Sequence, residues 1–304
     1  MWLCRNVYRR LKPSFFYTSP KTMAALWYAY NMDKWPDFKR PRDVNELWMA
    51  INLRAMHDSK ARALRIRCAD KYAVRQYIEE KGFGDILNEC YGVYNSFDEI
   101  DFSKLPNQFV LKMTNGSGMN FICKDKNKIN TDELKHIVDS WFEKCKDFGL
   151  KTAEWHYAEI KPRLIAEKYL SILGESSLVD YKFHCFNGQI YHIETISDRD
   201  VKAHESNCDA YTINWERKEC VMPQYHKNRR MLLKPQSFEQ MKKVAVALSS
   251  GFEYVRVDLY EIESKLLFGE LTFTPVGCIE YDYFPSELER MCQFYYETRS
   301  NHSI

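Results

Sequence analysis

Residues 254–275 constrain the fold of this 304-residue chain more than any other segment. Apolar side chains alternate with polar ones on both sides of a polar stretch, Glu263-Ser264-Lys265. This pattern predicts two antiparallel strands joined by a turn. One face of the hairpin should be apolar and should carry Val255, Val257, Leu259, Leu267, Leu271 and Phe273. Burial of that face fixes the register, because a slip of one residue would divide the apolar side chains between both faces.

The opposite face of this hairpin carries four polar side chains. With the turn centred on Ser264, Asp258 lies opposite Glu270. Arg256 then lies opposite Thr272. Two opposed carboxylates repel each other unless a cation lies between them, and their hard oxygen ligands suit Mg²⁺, while the arginine suits an anionic substrate. The alternative is a solvated polar face without a ligand, and the hairpin by itself does not distinguish the two.

The composition excludes several classes of protein. The 44 basic and 42 acidic residues give a net charge of +2, so the chain lacks the basic field of a nucleic-acid-binding protein. Its ten cysteines form no CxxC pair, which argues against a zinc or redox motif and favours reduced thiols in a cytoplasmic protein. No apolar run approaches the roughly 20 residues that span a bilayer.

Residues 1–16 favour a basic amphipathic helix. The apolar positions at helical spacing are Leu3, Val7, Leu11 and Phe15. The segment lacks the continuous apolar core of a secretory signal. We favour packing of this helix on its own protein; the alternative is a peripheral contact with the inner face of an anionic membrane.

The remaining patterns predict an α+β chain with mainly antiparallel, hairpin-joined strands rather than a doubly wound parallel sheet. Asn187-Gly188 between two apolar runs is a strong hairpin signal. We divide the chain into a helical N-terminal region at residues 1–68, a subdomain with a glycine-rich loop at residues 69–166, and a C-terminal subdomain with the metal-site hairpin at residues 167–304.

The glycine-rich loop is Asn115-Gly116-Ser117-Gly118, and it follows a predicted strand that contains Lys112. Glycines allow backbone N–H groups to approach an anion, and the lysine adds a positive charge. The order of residues matches neither a P-loop nor GxGxxG. A plain hairpin turn and a flap over phosphates therefore both remain open, and the loop alone favours the plain turn.

Three further segments are candidates for binding residues. Lys71 lies at the start of a predicted helix, where a phosphate can bind. The stretch Glu167-Lys168-Tyr169-Leu170 ends an apolar strand and can present backbone groups to an adenine edge. Asp180 and Lys182 share one face of a predicted hairpin. Each also has a plain interpretation as a solvated residue.

Five blocks, taken in order, resemble the ATP-grasp superfamily and most closely its TupA-like branch, named for teichuronopeptide synthesis. The blocks are DKYAVRQYIEEKG, LPNQFVLKMTNGSG, EWHYAEIKPRLIAEKYL, DYKFHCFNG and FGELTFTPVG, and the resemblance covers about residues 65–290. It implies an ATP-grasp fold, in which two α+β subdomains with mainly antiparallel sheets hold ATP between them.

The resemblance also implies roles for the nucleotide-binding residues. Lys71 and Lys112 resemble the lysines that hold the phosphates, and the loop from Asn115 to Gly118 resembles the flap above them. The backbone of residues 167–170 resembles the segment that binds adenine. Asp180 corresponds to the acidic residue on the ribose side, and Lys182 to a further phosphate contact.

For the reacting end of the site, the resemblance implies metal ligands and a catalytic arginine. Asp258 and Glu270 match the magnesium ligands. Thr272 stands where the wider superfamily usually has asparagine, and its hydroxyl is the third expected ligand. Arg256 is expected to stabilise the oxyanion of a tetrahedral intermediate, with Lys182 as the second catalytic residue.

The activity implied by this resemblance is ATP- and Mg²⁺-dependent ligation of a carboxylate to an amine through an acyl phosphate. The implied setting is a bacterial capsular or other surface polysaccharide, with a uronic acid or a peptide component as substrate. One alternative is a kinase or a glycosyltransferase-like enzyme that acts on a polysaccharide sugar. A binding module without catalysis is the other.

Overall fold

The computed structural model describes residues 2–171, 178–200, 205–225 and 231–300. The strands are β1 (Cys90–Tyr94), β2 (Phe109–Met113), β3 (Asn120–Cys123), β4 (Leu164–Lys168), β5 (Asp180–Phe186), β6 (Gln189–Asp200), β7 (Glu205–Tyr211), β8 (Arg217–Lys218), β9 (Tyr254–Ile262) and β10 (Lys265–Thr272). The α-helices are α1 (Trp2–Arg10), α2 (Phe15–Thr18), α3 (Pro20–Met32), α4 (Val44–His57), α5 (Ser59–Ala69), α6 (Val74–Glu80), α7 (Thr131–Cys145), α8 (Trp155–Ala158), α9 (Phe238–Ser249) and α10 (Pro285–Ser300). Short 3₁₀ helices lie at Gly84–Ile86, Phe97–Glu99, Phe102–Lys104, Lys126–Lys128, Pro223–Tyr225 and Pro275–Cys278.

These strands form two sheets. The first has the order β1-β4-β2-β3, and the second has the order β10-β9-β5-β6-β7-β8. Within the described residues every paired strand is antiparallel. The predicted α+β class with mainly antiparallel sheets is therefore confirmed.

The β9–β10 hairpin has the predicted pairs, but its turn is not where the sequence analysis centred it. Glu263 and Ser264 both have positive φ angles, so they form a two-residue turn of the kind that suits a tight hairpin. Ile262 consequently pairs with Lys265. Farther along, Asp258 pairs with Glu270 as predicted.

A bulge at Gly269 reconciles these two observations, because it adds one residue to β10. A Cβ atom at this position would lie 2.8 Å from the Tyr260 ring and 2.9 Å from the Asp258 carbonyl oxygen. The shift corrects one prediction: Leu267 pairs with Tyr260 on the polar side of the hairpin, whereas Leu266 and Phe268 enter the apolar core.

Both faces of the second sheet are covered. On one face, α9 and residues from 68 to 86 form a core with the sheet, in which Phe183, Val257 and Met241 are buried. On the other face, α4 and α10 bury Trp48 and Tyr283. This coverage leaves only part of the polar face accessible, at the end of the sheet that meets the first sheet.

The first sheet packs against α7, with Phe109 and Val138 in the shared core. Its strand β4 continues across the predicted boundary at residue 166. Residues 69–86, which the prediction placed in the subdomain with the glycine-rich loop, pack on the second sheet.

The N-terminal helices pack on the protein itself. Tyr8 of α1 is buried, with its ring centroid 5.6 Å from that of Trp27 and 4.9 Å from that of Tyr30. This contact agrees with the favoured interpretation of that segment. None of the described helices has the length and apolar composition of a membrane span.

We expect Gly269→Ala to lower the free energy of unfolding by about 1–3 kcal/mol, because the new methyl group would overlap a backbone carbonyl that cannot easily move. Urea denaturation measures the change. Gly84→Ala is the matched control, since its methyl group would meet only the flexible Glu79 side chain at 3.3 Å. Equal effects of the two substitutions would contradict the bulge argument.

Candidate active site

A polar cleft lies between the glycine-rich loop of the first sheet and strands β5, β9 and β10 of the second. Its volume is about 320 Å³, within the roughly 300–1,000 Å³ typical of small-molecule sites. The lining residues are Lys71, Arg75, Leu87, Asn88, Lys112, Gly116, Ser117, Gly118, Met119, Asn120, Glu167, Leu170, Asp180, Lys182, Arg199, Asp258, Tyr260, Phe268, Gly269 and Glu270. The cleft thus collects charged residues from both sheets.

One row of directly paired residues crosses four strands of the second sheet. In order, Glu270 pairs with Asp258, Asp258 with Lys182, and Lys182 with Glu194. Directly paired side chains project from the same face of a sheet. The Lys182 Nζ accordingly donates to Asp258 Oδ2 at 2.9 Å, so the single cation of this row lies between the carboxylates of Asp258 and Glu194, and Glu270 is at the end of the row.

Arg256 provides the cation between the two carboxylates of the hairpin. Its Nε donates to Asp258 Oδ1 at 2.8 Å, and its Nη2 donates to Oδ2 at 2.7 Å. The same Nη2 lies 3.6 Å from Glu270 Oε1 and donates to Thr272 Oγ1 at 3.3 Å. Arg256 lies behind Asp258 and is absent from the described lining of the cleft.

Glu270 remains ionised because of its neighbours. Desolvation raises the pKa of this carboxyl group, but nearby cations outweigh that effect and lower it from 4.5 to about 2. The cations are Lys71, Arg256 and Lys182. The Thr272 hydroxyl also donates to Glu270 Oε1 at 3.0 Å. At neutral pH the carboxylate is therefore charged, and 44% of its side chain is exposed.

The donor set at this end of the cleft fits Mg²⁺. Asp258 and Glu270 offer carboxylate oxygens from adjacent strands, both of them facing the cleft, and the Thr272 hydroxyl lies beside Glu270. Both carboxylates are already within reach of one cation, the Arg256 guanidinium, which shows that they converge. Thr272 itself is not among the described residues that line the cleft.

Lys71 connects the start of α6 to the glycine-rich loop. Its Nζ donates to the Gly116 carbonyl oxygen at 2.7 Å, and its backbone N–H donates to Thr114 at 2.9 Å. Gly116 and Gly118 both have positive φ angles, which glycine adopts without strain. Desolvation lowers the pKa of the Lys71 ammonium below its usual value. Asn115 is buried and donates to the Tyr157 carbonyl oxygen instead of facing the cleft.

Lys112 meets the segment predicted to bind adenine. Its Nζ donates to Glu167 Oε2 at 2.9 Å, and Arg75 Nη1 lies 3.7 Å from Glu167 Oε1. The backbone of Lys168 is used within the protein, since its N–H donates to Glu89 and its carbonyl accepts from Asn88. Of residues 167–170, only Glu167 and Leu170 line the cleft among the described residues.

Asp180, predicted on the ribose side, is buried at the far wall of the cleft. It forms an ion pair with Arg199 of β6, and burial together with the nearby Asp180 carboxylate raises the pKa of the Tyr260 hydroxyl well above its usual value. Neither partner was predicted. Tyr260 is two residues from Asp258, so strand alternation could have placed it on the same face. Arg199 has no such signal, because only the β5–β6 pairing brings it near.

A buried polar network continues the row beyond Lys182. His184 Nε2 lies 3.0 Å from Glu194 Oε2, and Tyr254 lies 2.9 Å from His184 Nδ1. Tyr283 donates to the same Glu194 oxygen at 3.2 Å. Burial lowers the pKa of His184, so the imidazole is neutral at physiological pH. These residues hold Glu194 in place and were not predicted.

A model of the TupA-like ATP-grasp family matches residues 50–292. The chain is similar to the crystal structure of D-alanine–D-alanine ligase from Bacillus anthracis, with 17% sequence identity and a TM-score of 0.47. The match covers 77% of this chain and 68% of the ligase. The chain is also similar to L-amino acid ligase from Bacillus licheniformis, with 13% sequence identity and a TM-score of 0.43. That match covers 67% of this chain and 42% of the ligase. No curated protein matches.

The lowered pKa of Glu270 predicts a pH-dependent contribution to stability. A carboxyl group whose pKa falls on folding stabilises the protein above its unfolded value of 4.5, and this contribution is lost as the pH falls towards about 2. We therefore expect Glu270→Gln to destabilise the protein at pH 7 and to have progressively less effect below pH 4.5. Urea denaturation across this range measures the difference.

Glu263→Gln is the control for this experiment, because Glu263 is exposed in the hairpin turn. If the difference in free energy of unfolding between Glu270→Gln and the wild type stays the same below pH 4.5 as it is at pH 7, the electrostatic account is contradicted.

Proposed function

The chain belongs to the TupA-like ATP-grasp family, as its five sequence blocks predicted, and on that basis we propose that it is an ATP- and Mg²⁺-dependent carboxylate–amine ligase. The family match supplies the ATP-grasp fold. The reaction, the metal and the roles of individual residues are part of the proposal. They rest on the charges that the cleft brings together.

The observation that carries the proposal is the convergence of three lysines and two carboxylates on one cleft. Lys71, Lys112 and Lys182 approach it from both sheets, and Asp258 and Glu270 lie at one end. Lysine ammonium groups suit phosphate oxygens, and carboxylates suit a divalent cation that accompanies them. A triphosphate with its metal ion matches this distribution of charge.

In the proposed first step, a substrate carboxylate oxygen attacks the γ-phosphorus of ATP and forms an acyl phosphate, while ADP leaves. An amine then attacks the acyl carbon, phosphate leaves, and the nitrogen loses a proton as the amide forms. The lysines hold the phosphates in line for the first step. Bound Mg²⁺ would be held by Asp258 and Glu270, with Thr272 beside them, and would neutralise phosphate charge.

The hydrogen bonds of Arg256 favour a different role from the one expected at the oxyanion. Two of its nitrogens donate to Asp258, so its main effect is to fix that carboxylate. We therefore propose Arg256 as a positioning residue. A direct contact with the reacting group would require the guanidinium to leave Asp258.

The proposed substrates follow from the family resemblance. The carboxylate belongs to a uronic acid or a peptide component of a bacterial surface polysaccharide. The amine is an amino sugar, an amino acid or a simple amine.

The proposal predicts that phosphate release requires a carboxylate and an amine together. Purified protein with Mg-ATP should be screened for phosphate against uronic acids paired with amines, and the amide should be identified by mass spectrometry. With hydroxylamine as the amine, an acyl hydroxamate should form. ADP without free phosphate, together with a phosphorylated sugar, would instead identify a kinase.

Asp258→Asn is expected to lower turnover by more than about 100-fold and to raise the Mg²⁺ concentration needed, because a metal-holding carboxylate is lost. The assay should be run well below the unfolding temperature of the variant, since the substitution also leaves two cations less well paired. Asp98→Asn, on the exposed surface, is the control and should retain activity. Wild-type activity of Asp258→Asn would show that the metal assignment is wrong.

A further inference from the structure

A second cluster of metal-ligating side chains lies apart from the ATP cleft. It consists of His192 on β6, Cys220 shortly after β8, and Glu287 in the first turn of α10. All three are buried, and one ligand atom from each lies within 4.8 Å of the others. We infer that this cluster binds Zn²⁺.

His192 gives the clearest indication of a ligand. Its side chain is 0% exposed, yet neither ring nitrogen makes a hydrogen bond within the described residues. Buried polar atoms in proteins almost always have a partner. A carboxylate oxygen of Glu287 lies 3.5 Å from the His192 Nδ1, so the ring faces the cluster. A metal ion would give this nitrogen a direct bond, where the protein offers only the 3.5 Å approach of the Glu287 carboxylate and no hydrogen bond within the described residues.

The three donors have the chemistry that zinc prefers. Zn²⁺ is bound in proteins by imidazole nitrogen, thiolate sulfur and carboxylate oxygen. Mg²⁺, which the ATP cleft would hold, prefers oxygen ligands alone. The cluster and the cleft therefore differ in metal preference.

The fold brings these ligands together from distant segments. Val221, next to Cys220, forms a β-bridge with Tyr283, which precedes α10. The Cys220 carbonyl oxygen also accepts from the N–H of Phe284 at 2.9 Å. These backbone contacts hold the thiol beside the first turn of α10, where Glu287 lies. The sequence shows no zinc motif because the spacing between the ligands is long.

A surface cleft gives an ion access to the cluster. Its lining residues are Lys218, Glu219, Cys220, Phe284, Ser286, Glu287 and Arg290. Two of the three proposed ligands are therefore reached from solvent. Water entering through this cleft can supply the fourth ligand of a tetrahedral site.

Lys218 competes with a metal ion for the Glu287 carboxylate. Its Nζ contacts Glu287 Oε1 and also lies 4.3 Å from the centre of the Tyr191 ring. When zinc takes the carboxylate, the ammonium keeps the aromatic ring as a partner. Tyr191 itself donates to Glu287 Oε1 at 2.9 Å and orients the carboxylate, as second-shell partners of metal ligands do.

The proposal is tested on the full chain after treatment with a chelator and a thiol reductant. Zinc chloride should bind at a single site in calorimetry and should raise the melting temperature. Cobalt(II) should give a thiolate-to-metal absorption band. Cys220→Ser should remove that band and weaken zinc binding by more than about 100-fold, beyond what loss of an outer-shell partner costs.

Two further variants test whether zinc binding is specific to this cluster. Cys292→Ser removes another buried thiol, which lies in α10 like Glu287 but outside the cluster, and should leave zinc binding unchanged. Lys218→Met should bind zinc several-fold more tightly, because the competing cation is gone.

Three results would overturn the zinc site. They are no zinc binding by the wild-type chain, unchanged binding by Cys220→Ser, or binding confined to Lys218→Met, which would make the lysine the native cation of the cluster. If Cys220→Ser fails to fold, the absence of a thiolate band in the cobalt-loaded wild type decides against the proposal.

Discussion

The ion pairs around Asp258 are the interaction on which the rest of the site depends. This carboxylate is only 2% exposed and accepts hydrogen bonds from Arg256 on its own strand and from Lys182 on the next. A buried charge without partners costs several kcal/mol, and hydrogen bonds from the two cations offset this cost for Asp258. Their positions follow from strand pairing. The register of β5 and β9 is therefore as important to the site as the residues themselves.

How far the sequence predicts this arrangement depends on whether each feature is local. Alternation in a hairpin was enough to place Asp258 opposite Glu270, because burial of the apolar face selects that pairing. The Gly269 bulge was not predicted, since one extra residue in a strand changes the alternation only locally. The turn position and the place of Leu267 were wrong for that reason. Thr272 was placed correctly in the pairing but lies outside the described lining of the cleft.

Features that depend on contacts between distant segments were beyond sequence reasoning. Arg199 reaches Asp180 only because β6 folds back on β5, and no pattern at either residue indicates the contact. Arg256 lies behind Asp258 because of the hydrogen bonds that it donates to Asp258 and Thr272. Those bonds depend on side-chain packing, which the sequence does not show. The cluster of His192, Cys220 and Glu287 likewise comes from three separate elements. The family resemblance predicted the fold correctly because it joins five blocks along the chain.

For the proposed nucleotide site, the bond between Lys71 and the Gly116 carbonyl oxygen has a consequence. An ammonium group carries three donors, so it can keep this bond and still bind a phosphate oxygen. Occupancy of the nucleotide and the position of the glycine-rich loop are then linked through a single side chain. Such a link would hold the loop at the wall of the cleft while the phosphates are bound and would slow their escape before the reaction is complete.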